Sequence, residues 1–404
     1  MICHWQIGKG QSEGINMKFP TGGYSQEDLE KRKTWLKEKY SVDFNHTESP
    51  VPEDYKGLTE NQVGNISLPL SIAGPLCIQG TYAVGEFYVP LCTLEGTLTF
   101  SMMRGLKITS HCGGIKTYHV KQELSRSPMF IFKDIQYVHF FIQWVEQNFQ
   151  KLKAIAESTT RHGKLIRIDN YFVQNRVILD CIYDTGEAAG QNMVTFATQA
   201  MLNYVRTQHI PGLVNCLIEA NFNGDKNSSH RNLMLGRGHT VVASALIQNK
   251  ILKRFLRVDA DYLHKDFINA YLGSVMAGTS PNLHIANALA AIYLATGQDV
   301  ACVAENSLGI ISYEHQEGDL YVSLTMPSIT VGTVGGACRL PVQKRNLQLL
   351  GCDGHNSSKK LAEIICAATL ALEISLTGAI SSHEFTDAHL SYGRTNKIIE
   401  KVDG

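Results

Sequence analysis

The sequence predicts an α+β protein built from several domains, and three observations support that prediction. The chain has 404 residues, of which 44% are hydrophobic and 18% are charged, as in globular proteins with a sizeable core. At roughly 100–200 residues per domain, this length favours two or three domains. Short strand patterns broken by Gly and Pro are followed by a run in which strands and helices alternate, and then by two long apolar helices.

The first predicted element is a polar surface helix over residues 25–40, SQEDLEKRKTWLKEKY. Ser25 suits its N-cap, and acidic residues in the first turn and basic residues in the last complement the helix dipole. Beyond the following loop, the segments ISLPLSIAGPLCI, TYAVGEFYVPLC and TLTFSMM predict short strands separated by Gly and Pro. This change of composition places a domain boundary near residue 58.

Residues 128–217 predict a compact inserted domain. Their patterns predict a strand (MFIF), an amphipathic helix (DIQYVHFFIQWVEQNFQKLKAIAEST), two strands (KLIRIDNYFVQ and NRVILDCIYD), a helix (AGQNMVTFATQAMLNYVRTQ) and a strand (LVNCLIEANF). The order β-α-β-β-α-β is the ferredoxin-like split arrangement. Beyond this insert, long helices are predicted over residues 281–296, with Pro281 in the first turn, and over residues 358–381.

Charge and cysteine patterns exclude several classes of function. The 37 Lys and Arg residues balance the 37 Asp and Glu residues, so no overall field attracts nucleic acid or an anionic membrane surface. The ten cysteines form no CxxC pair and no cluster at metal-ligand spacing, which disfavours structural zinc and a redox dithiol. Because the cysteines lie in apolar stretches, and because no secretory signal or run of ~20 apolar residues is recognised, we expect a cytoplasmic protein without a membrane segment.

Two motifs contain residues suited to binding and proton transfer, although each also has an ordinary structural explanation. TGEAAGQNM, residues 185–193, places glycines where a strand leads into a helix, and the free N–H groups of such a helix start bind phosphate. Glycines at this kind of turn are more often needed for steric reasons. Glu95 lies among apolar residues in TLEGTLTFSMMRG, where a raised pKa would suit a proton donor. A glutamate in such a place is more often simply paired with a cation.

Lys226 and Asp299 are further candidates. Lys226 lies in the polar loop NFNGDKNSSHRN, where an ammonium can stabilise a carbonyl oxygen that gains negative charge, although an Asp-Lys dipeptide is also an ordinary surface pair. Asp299 follows a helix C-terminus, where the helix dipole opposes it, so it is either exposed or held by a partner. His383 lacks the second histidine of HExxH, which leaves zinc hydrolase chemistry without support. His389 is a lone histidine in a polar segment.

The combination and order of these motifs resemble the 3-hydroxy-3-methylglutaryl-coenzyme A (HMG-CoA) reductase family. The resemblance covers most of residues 59–396, through ENQVGNISLPLSIAGPL, TLEG, SMMRG, ESTTR, TGEAAGQNM, DKN, GRGH, LGSVMAGTSPNLHIANALAAIYLATGQD, DLYVSLTMPSITVGTVGG and a late AHL. GQD and TMPSITVGTVGG are the most specific of these segments. The match is closest to the eukaryote-like class of the family rather than to its divergent bacterial class.

The resemblance implies a fold and an activity. Residues 1–58 would form a small helical N-terminal domain, and residues 59–127 with 218–404 a large domain that binds the coenzyme A (CoA) substrate. The ferredoxin-like insert, residues 128–217, would bind NADPH, with NADH as the less favoured cofactor, and no metal is implied. The active sites would lie across the subunit interface of a homodimer. The reaction would reduce an acyl-CoA thioester to the primary alcohol by two hydride transfers, of the HMG-CoA to mevalonate type used in isoprenoid biosynthesis.

Four catalytic residues carry over from the family. Glu95 would supply the proton, and Lys226 would stabilise the negative charge on the carbonyl oxygen. Asp299 would tune both by charge and hydrogen bonding, and His389 would protonate the departing CoA thiolate. Glu187 stands where the family has Asp in the cofactor loop. The residues implied for the cofactor are Ser158, Thr160, Arg161, Gly186, Glu187, Gly190, Gln191, Asn192, Met193 and Arg394. Those implied for the substrate are Arg104, Arg126, Asn221, Asp225, Asn227, Asn269 and Asn287.

The pocket for the acyl group departs from the family. Asn227 and Asn269 stand where the family has lysines that hold the free carboxylate of the substrate, and Glu219 stands where it has a serine. Charge-assisted hydrogen bonds are worth ~1.5–3 kcal/mol each, so these changes predict weak binding of an acidic acyl group unless Lys265 or Arg126 supplies the cation. Two alternatives follow: the same chemistry on a non-carboxylate acyl thioester, and an idle scaffold that binds nucleotide without turnover. The presence of all four catalytic residues argues against the second.

Overall fold

The fold is seen in a computed structural model of the chain. The described residues are 20, 23–40, 51–278 and 280–382. The chain divides into two compact units, residues 1–67 and 68–404, and this division falls later than the boundary predicted near residue 58. The described part of the first unit contains helix α1 (Gln26–Tyr40) and a 3-10 turn (Pro52–Tyr55).

Helix α1 begins as predicted but is not fully solvated. The hydroxyl of Ser25 donates to the carboxylate of Asp28 over 2.6 Å and accepts from the Asp28 N–H over 3.1 Å. Leu29 and Arg32 are buried, whereas the sequence predicts a polar surface helix. The Nε of Arg32 donates to the carbonyl oxygen of Gln62 over 2.6 Å, which compensates the buried guanidinium. A charge-rich helix therefore still has one packed side.

Ten strands in the described part of the second unit form one sheet. They are β1 (Leu70–Gln79), β2 (Val84–Cys92), β3 (Ile115–Arg126), β4 (Met129–Phe132), β5 (Lys164–Val173), β6 (Arg176–Asp184), β7 (Leu213–Leu217), β8 (Arg237–Ile247), β9 (Ile310–Gln316) and β10 (Asp319–Ile329). The helices are α2 (Leu98–His111), α3 (Gln136–Gln147), α4 (Phe149–Glu157), α5 (Gln191–Thr207), α6 (His230–Leu235), α7 (Asn249–Leu256), α8 (Ala260–Ala277), α9 (Ile285–Thr296), α10 (Val303–Asn306), α11 (Pro341–Leu349) and α12 (Ser357–Ser381).

The larger part of the sheet carries the main hydrophobic core. Its strands are ordered β2-β1-β3-β8-β10-β9, and all neighbours are antiparallel except β1 and β3. The core formed with helices α2, α9 and α12 includes Leu76, Met102, Leu289, Leu324 and Ile365. At Gly105 of α2, an added Cβ would lie 1.9 Å from the carbonyl oxygen of Ala371 in α12, so only glycine permits this close packing.

Helix α12 is almost entirely buried although it carries two glutamates. Glu363 accepts hydrogen bonds from the backbone N–H groups of residues 81–83 over 2.7–3.1 Å. Glu373 accepts from the N–H groups of residues 283–284 over 3.0 and 2.8 Å. Each carboxylate thus satisfies the amides of a loop. The helix is long and apolar enough to cross a membrane, but 89% of its apolar window is buried inside the protein, as in the core helix of a globular domain.

Residues 129–217 build a second, separate core. Along the chain the elements are β4, α3, α4, β5, β6, α5 and β7, and in the sheet the strands are ordered β7-β4-β6-β5 with antiparallel neighbours. The core includes Phe130, Phe141, Leu179, Met201 and Leu202. The end of β3 pairs with β6, with Arg126 opposite Cys181, so this part of the sheet continues directly from the larger part.

Three elements differ from the sequence prediction. The helix predicted over residues 281–296, with Pro281 in its first turn, begins at Ile285, so Pro281 lies before it. TLTFSMM lies in helix α2 rather than in a strand, because Leu98, Met102 and Leu106 recur at helical spacing and are buried on one face. The single helix predicted after MFIF is two helices, α3 and α4. Asn148 separates them, and its Nδ2 donates to the carbonyl oxygen of Trp144 over 2.8 Å.

Candidate active site

Lys226 and Asp299 form an ion pair that remains accessible to solvent. The lysine Nζ lies 3.0 Å from the aspartate Oδ2, and the side chains are 48% and 35% exposed. The hydrogen bond to Asp299 raises the pKa of Lys226. The ammonium is therefore charged, positioned by one carboxylate and open on its other side. Such a group can stabilise negative charge on a bound oxygen atom.

Two backbone turns position this pair. Lys226 has φ +57°, the left-handed conformation that side-chain-bearing residues rarely adopt. Asp299 closely follows Gly297, which ends helix α9 with φ +74°. The carboxylate of Asp299 also accepts from the N–H of Ala301 over 3.1 Å and thereby begins the next turn. Both residues are thus held by the backbone as well as by each other.

Asp225, which precedes Lys226, lies between two arginines. The Nη2 of Arg237 is 2.9 Å from its Oδ1, and the Nη2 of Arg126 is 3.2 Å from its Oδ2. Burial by itself raises the pKa of Asp225, but the two arginines outweigh that effect and the pKa is lowered. Asp225 therefore stays ionised and anchors the turn that carries Lys226.

Arg126, a predicted substrate contact, is already paired within the chain. Its Nη1 donates to Oε2 of Glu219 and its Nη2 faces Asp225. Glu219 also accepts from Nδ2 of Asn223 and from the N–H of Asn221, each over 2.7 Å. The Arg126 side chain is only 10% exposed. This predicted pocket cation thus has two acidic partners, Glu219 and Asp225.

Three other predicted pocket residues lie on different elements. Asn227 is exposed beside Lys226, and its Nδ2 donates to the carbonyl oxygen of Asp225 over 2.9 Å. Asn269 is exposed on α8, and Asn287 is half-buried on α9. In the part of the chain that the structure describes, no hydrogen bond joins these last two residues to the Lys226 turn. Of these three residues, Asn227 is the one that a hydrogen bond ties to the Lys226 turn among the described residues.

Lys265, predicted as a replacement cation, has a partner on its own helix. Its Nζ lies 2.6 Å from Oδ2 of Asp261, one turn earlier on α8, and both side chains are more than 60% exposed. The pair is an ordinary i, i+4 surface contact. An anionic ligand that binds Lys265 would therefore also lie near the carboxylate of Asp261.

Glu95 lies in the turn before α2 and is exposed to solvent. Its N–H donates to Oγ1 of Thr93 over 3.0 Å, and the neighbouring Leu94 is 80% exposed. The apolar enclosure predicted for Glu95 is therefore wrong within a single chain. Leu98 and Met102 are buried as part of α2, whereas Glu95 precedes that helix. Among the described residues, no ion pair links Glu95 to Lys226.

The loop TGEAAGQNM packs tightly where it starts helix α5. Gly190 has φ +82°, and a Cβ there would lie 2.3 Å from the side chain of Thr185, so glycine is required on both counts. Gln191, the first residue of α5, donates from Nε2 to Sγ of Cys302 over 2.8 Å and to Oδ1 of Asp225 over 3.4 Å. This side chain links the predicted cofactor loop to the turn that carries Lys226.

Glu187 of the same loop binds the start of helix α12. Its carboxylate accepts from the N–H groups of Asn356 (2.7 Å) and Ser358 (2.8 Å) and from the hydroxyl of Ser357 (3.0 Å). Burial alone raises the pKa of Glu187, but these hydrogen bonds outweigh it and the pKa is lowered. Both carboxylate oxygens are thus engaged by the helix start. Gly186 beside it has φ +60° and open space where a Cβ would lie.

The segment ESTTR lies against the start of helix α5. Oγ1 of Thr160 is 3.0 Å from Sδ of Met193, which joins two of the predicted cofactor segments. Ser158 donates to a carbonyl oxygen of its own helix over 2.7 Å. Arg161 and Asn192 are exposed. The structure therefore brings the predicted cofactor residues of these two segments to one edge of the 129–217 region.

Arg104 lines a surface groove on the large part of the fold. It donates from Nε to Oγ of Ser375 over 2.9 Å and from Nη2 to the Ser375 carbonyl oxygen over 2.8 Å. The residues lining the groove are Gly74, Pro75, Met103, Arg104, Lys107, Ser110 and His111. Two cations along an open groove suit a ligand with phosphate groups. Three other residues singled out in the sequence, His383, His389 and Arg394, lie outside the described residues.

Sequence reasoning missed three fully buried residues at this site, Arg237, Cys302 and Glu305. Side-chain donor atoms of Asp225, Cys302 and Glu305 approach within 4.8 Å of one another. The guanidinium of Arg237 contacts both carboxylates and supplies the balancing positive charge there. The sequence carries one signal for Arg237, which is the first residue of the apolar strand β8. An arginine in a buried strand needs an acidic partner.

Comparison with known proteins gives consistent matches. Residues 28–394 match the family described as hydroxymethylglutaryl-coenzyme A reductase. The 3-hydroxy-3-methylglutaryl-coenzyme A reductase of Methanocaldococcus jannaschii is 38% identical over 372 residues, covering 90% of this chain and 92% of that protein. The protein of the same name from Aeropyrum pernix is 36% identical, covering 95% and 96%. 3-Hydroxy-3-methylglutaryl-coenzyme A reductase 1 of Dictyostelium discoideum is 35% identical, covering 83% of this chain and 62% of that protein.

A solved structure shares the fold. The class II 3-hydroxy-3-methylglutaryl-CoA reductase from Streptococcus pneumoniae, bound to NADPH, matches with a TM-score of 0.65 at 21% identity. The match covers 88% of this chain and 96% of that one. At this level of identity the likeness concerns the mixed α/β architecture.

Proposed function

The chain belongs to the hydroxymethylglutaryl-coenzyme A reductase family, and we propose that it reduces an acyl-CoA thioester to the primary alcohol by two hydride transfers, as in the conversion of HMG-CoA to mevalonate. The observation that carries this proposal is the pair of Lys226 and Asp299, an exposed ammonium held 3.0 Å from one carboxylate. Reduction of a carbonyl group places negative charge on its oxygen, and a preset cation stabilises that charge most strongly in a site from which water is excluded.

The residues of this chain have distinct roles in the proposed reaction. A bound nicotinamide cofactor supplies the hydride. Lys226 binds the carbonyl oxygen of the thioester and holds the charge that develops there. Asp299 keeps the ammonium protonated and oriented, as the raised pKa of Lys226 indicates. Glu95 delivers a proton to the oxygen, and His389 protonates the departing CoA thiolate; these two roles rest on the family resemblance.

The cofactor proposal rests on residues 128–217. Their strand order, β7-β4-β6-β5, and the position of their helices in the chain support a ferredoxin-like domain. The open space at Gly186 and the N–H groups at the start of α5 fit a phosphate-bearing ligand. Arg161 is exposed at the same edge and suits the 2′-phosphate of NADPH, with Arg394 as a second contact. We therefore propose NADPH as the cofactor and NADH as the weaker alternative.

A second candidate substrate follows from the acyl pocket. Arg126 pairs with Glu219 and Asp225, and Lys265 pairs with Asp261, so both cations already have acidic partners. The amide of Asn227 offers both donors and acceptors beside Lys226. These contacts favour a neutral or amide-bearing acyl thioester over one with a free carboxylate. In that case the chain would run the family reaction in a specialised pathway.

We also propose a cytoplasmic homodimer with active sites between subunits. Helix α8 exposes a run of apolar side chains, Ile268, Leu272, Val275 and Met276, of which Met276 is 89% exposed. A second subunit would also enclose Glu95. Within the family we propose a place nearer the eukaryote-like class, as the motif resemblance implies.

The proposal is tested by steady-state kinetics with identification of the product. Purified protein is incubated with HMG-CoA and NADPH, oxidation of NADPH is followed by absorbance, and the product is identified by mass spectrometry. A parallel panel of neutral acyl-CoA thioesters separates the two candidate substrates. Formation of a primary alcohol and free CoA from any member supports the reaction class. Binding of NADPH without turnover of any thioester would instead support the idle scaffold.

A further inference from the structure

Three ion pairs at Lys226 form a circuit that the backbone closes, and its members are Lys226, Asp299, Glu305, Arg237 and Asp225. The Nζ of Lys226 pairs with Asp299, and Asp299 begins the turn that leads into α10, the helix of Glu305. The Oε1 of Glu305 lies 3.7 Å from Nε of Arg237. Arg237 in turn contacts Asp225 over 2.9 Å, and Asp225 is the residue before Lys226. The two chain segments that present the exposed ion pair are therefore also tied together behind it.

Glu305 is the least satisfied member of this circuit. Its side chain is fully buried, and neither carboxylate oxygen has a hydrogen-bond partner of normal geometry among the described residues. Burial raises the pKa of Glu305 to about 7, while the charge of Arg237 opposes that rise. The other titratable groups around it are Asp225, Cys302 and Tyr293. A buried carboxylate with one long ion pair contributes little to stability and changes its charge easily.

We propose that Glu305 is a positioning residue for Lys226: through Arg237 and Asp225 it sets how firmly the ammonium is held, and this hold changes with the proton on Glu305. The inference rests on the reductase function proposed above. With the proton present, the charge of Arg237 is directed to Asp225, and the turn that carries Lys226 is held firmly. When the proton is lost, Glu305 competes for Arg237 and that turn loosens.

This arrangement predicts a specific pH profile. Turnover in the unsubstituted protein should decline above about pH 7 as Glu305 ionises. A displacement of about 1 Å at a catalytic group costs up to about a hundredfold in rate, so a decline of about tenfold between neutral and alkaline pH is reasonable. Glu305→Gln reproduces the protonated form in shape and hydrogen bonding, so its turnover should stay level over the same range. Glu305→Asp keeps a titrating group and should keep the decline.

The matched control is Glu314→Gln, which changes an exposed glutamate on β9 outside the circuit and should retain the profile of the unsubstituted protein. If Glu305→Gln declines with pH as the unsubstituted protein does, or if it only lowers turnover by one factor at every pH, Glu305 has no positioning role. Thermal unfolding of each variant verifies that the fold is retained.

A readout without turnover separates this inference from the proposed function. The rate at which an amine reagent labels Lys226, mapped by mass spectrometry, reports how firmly the lysine is held. Labelling in the unsubstituted protein should rise above pH 7 by more than in Glu305→Gln, whatever substrate the protein uses. Equal labelling rates across the pH range would overturn the inference even if HMG-CoA is reduced. A difference in labelling without reduction of any thioester would leave the positioning intact and remove the reductase assignment.

Discussion

His119 and His239 face each other on adjacent strands, with Nε2 of His119 2.9 Å from Nδ1 of His239. Both are buried, on β3 and β8 respectively. Burial is the main cause that lowers the pKa of His119 to about 4 and that of His239 to about 3, and the charge of Lys359 adds to it in both. One ring therefore donates and the other accepts, and both are neutral at physiological pH.

This pair predicts a loss of stability in mild acid. In the unfolded chain both histidines bind protons near pH 6.5, whereas in the folded chain they resist protonation until about pH 4 and 3. The contribution of this pair to the free energy of unfolding is thus fully present above pH 6.5. It falls as pH drops below 6.5, by about 1.4 kcal/mol per pH unit for each histidine. Urea unfolding at several pH values measures the slope, and His119→Gln with His239→Gln should flatten it. An unchanged slope in the double variant would contradict the assignment.

Lys226→Ala should lower turnover by about a hundredfold to a thousandfold, because loss of one preset group at a developing oxyanion has that effect. Binding of NADPH should change little, since the predicted cofactor loop is held by Gly190, Glu187 and Gln191 rather than by Lys226. Turnover comes from steady-state kinetics and binding from calorimetry. Lys253→Ala, on the exposed side of α7, is the control. Near-normal turnover on the true substrate would remove Lys226 from the catalytic role.

Arg161→Ala should raise the Michaelis constant for NADPH and leave that for NADH nearly unchanged. The planar guanidinium makes two charge-assisted hydrogen bonds to a phosphate, worth ~1.5–3 kcal/mol each, so an increase of at least about tenfold is expected. Kinetics with both cofactors, on the variant and the unsubstituted protein, give the comparison. Equal use of NADH and NADPH by the unsubstituted protein would show that Arg161 is an ordinary surface base.

Glu219→Ser should improve the use of an acidic acyl thioester, because it removes one of the two carboxylates that engage Arg126. Adding Asn227→Lys and Asn269→Lys should improve it further, by restoring two cations to the pocket. The measurement is kcat/KM on HMG-CoA beside a neutral acyl thioester, and a gain confined to the acidic substrate is expected. If the unsubstituted protein already binds HMG-CoA tightly and the restored lysines add nothing, the interpretation of the pocket fails.

The sequence predicts the alternation of elements in residues 129–217 well because each element there has its own periodicity and its own turn residues. It fails at TLTFSMM, because a short apolar run is compatible with either a strand or a helix. Packing of this segment against α12 stabilises the helix. Lys226 and Asp299 can be named from motifs, but their ion pair depends on a left-handed turn and a helix end that are far apart in the chain. Glu305 has no local signal, because its burial against Arg237 exists only in the folded protein.

Helix α12 positions two distant loops through Glu363 and Glu373, and this constrains its length more strictly than its composition. Inserting one residue between the two glutamates would turn one carboxylate by about 100° around the helix axis and move it about 1.5 Å along it. One loop would then lose its hydrogen-bond acceptor while keeping every amino acid it has now. Apolar residues can be exchanged along α12 if side-chain volume is kept. The number of residues between its two glutamates cannot change, because that number fixes the distance between the two loops that they bind.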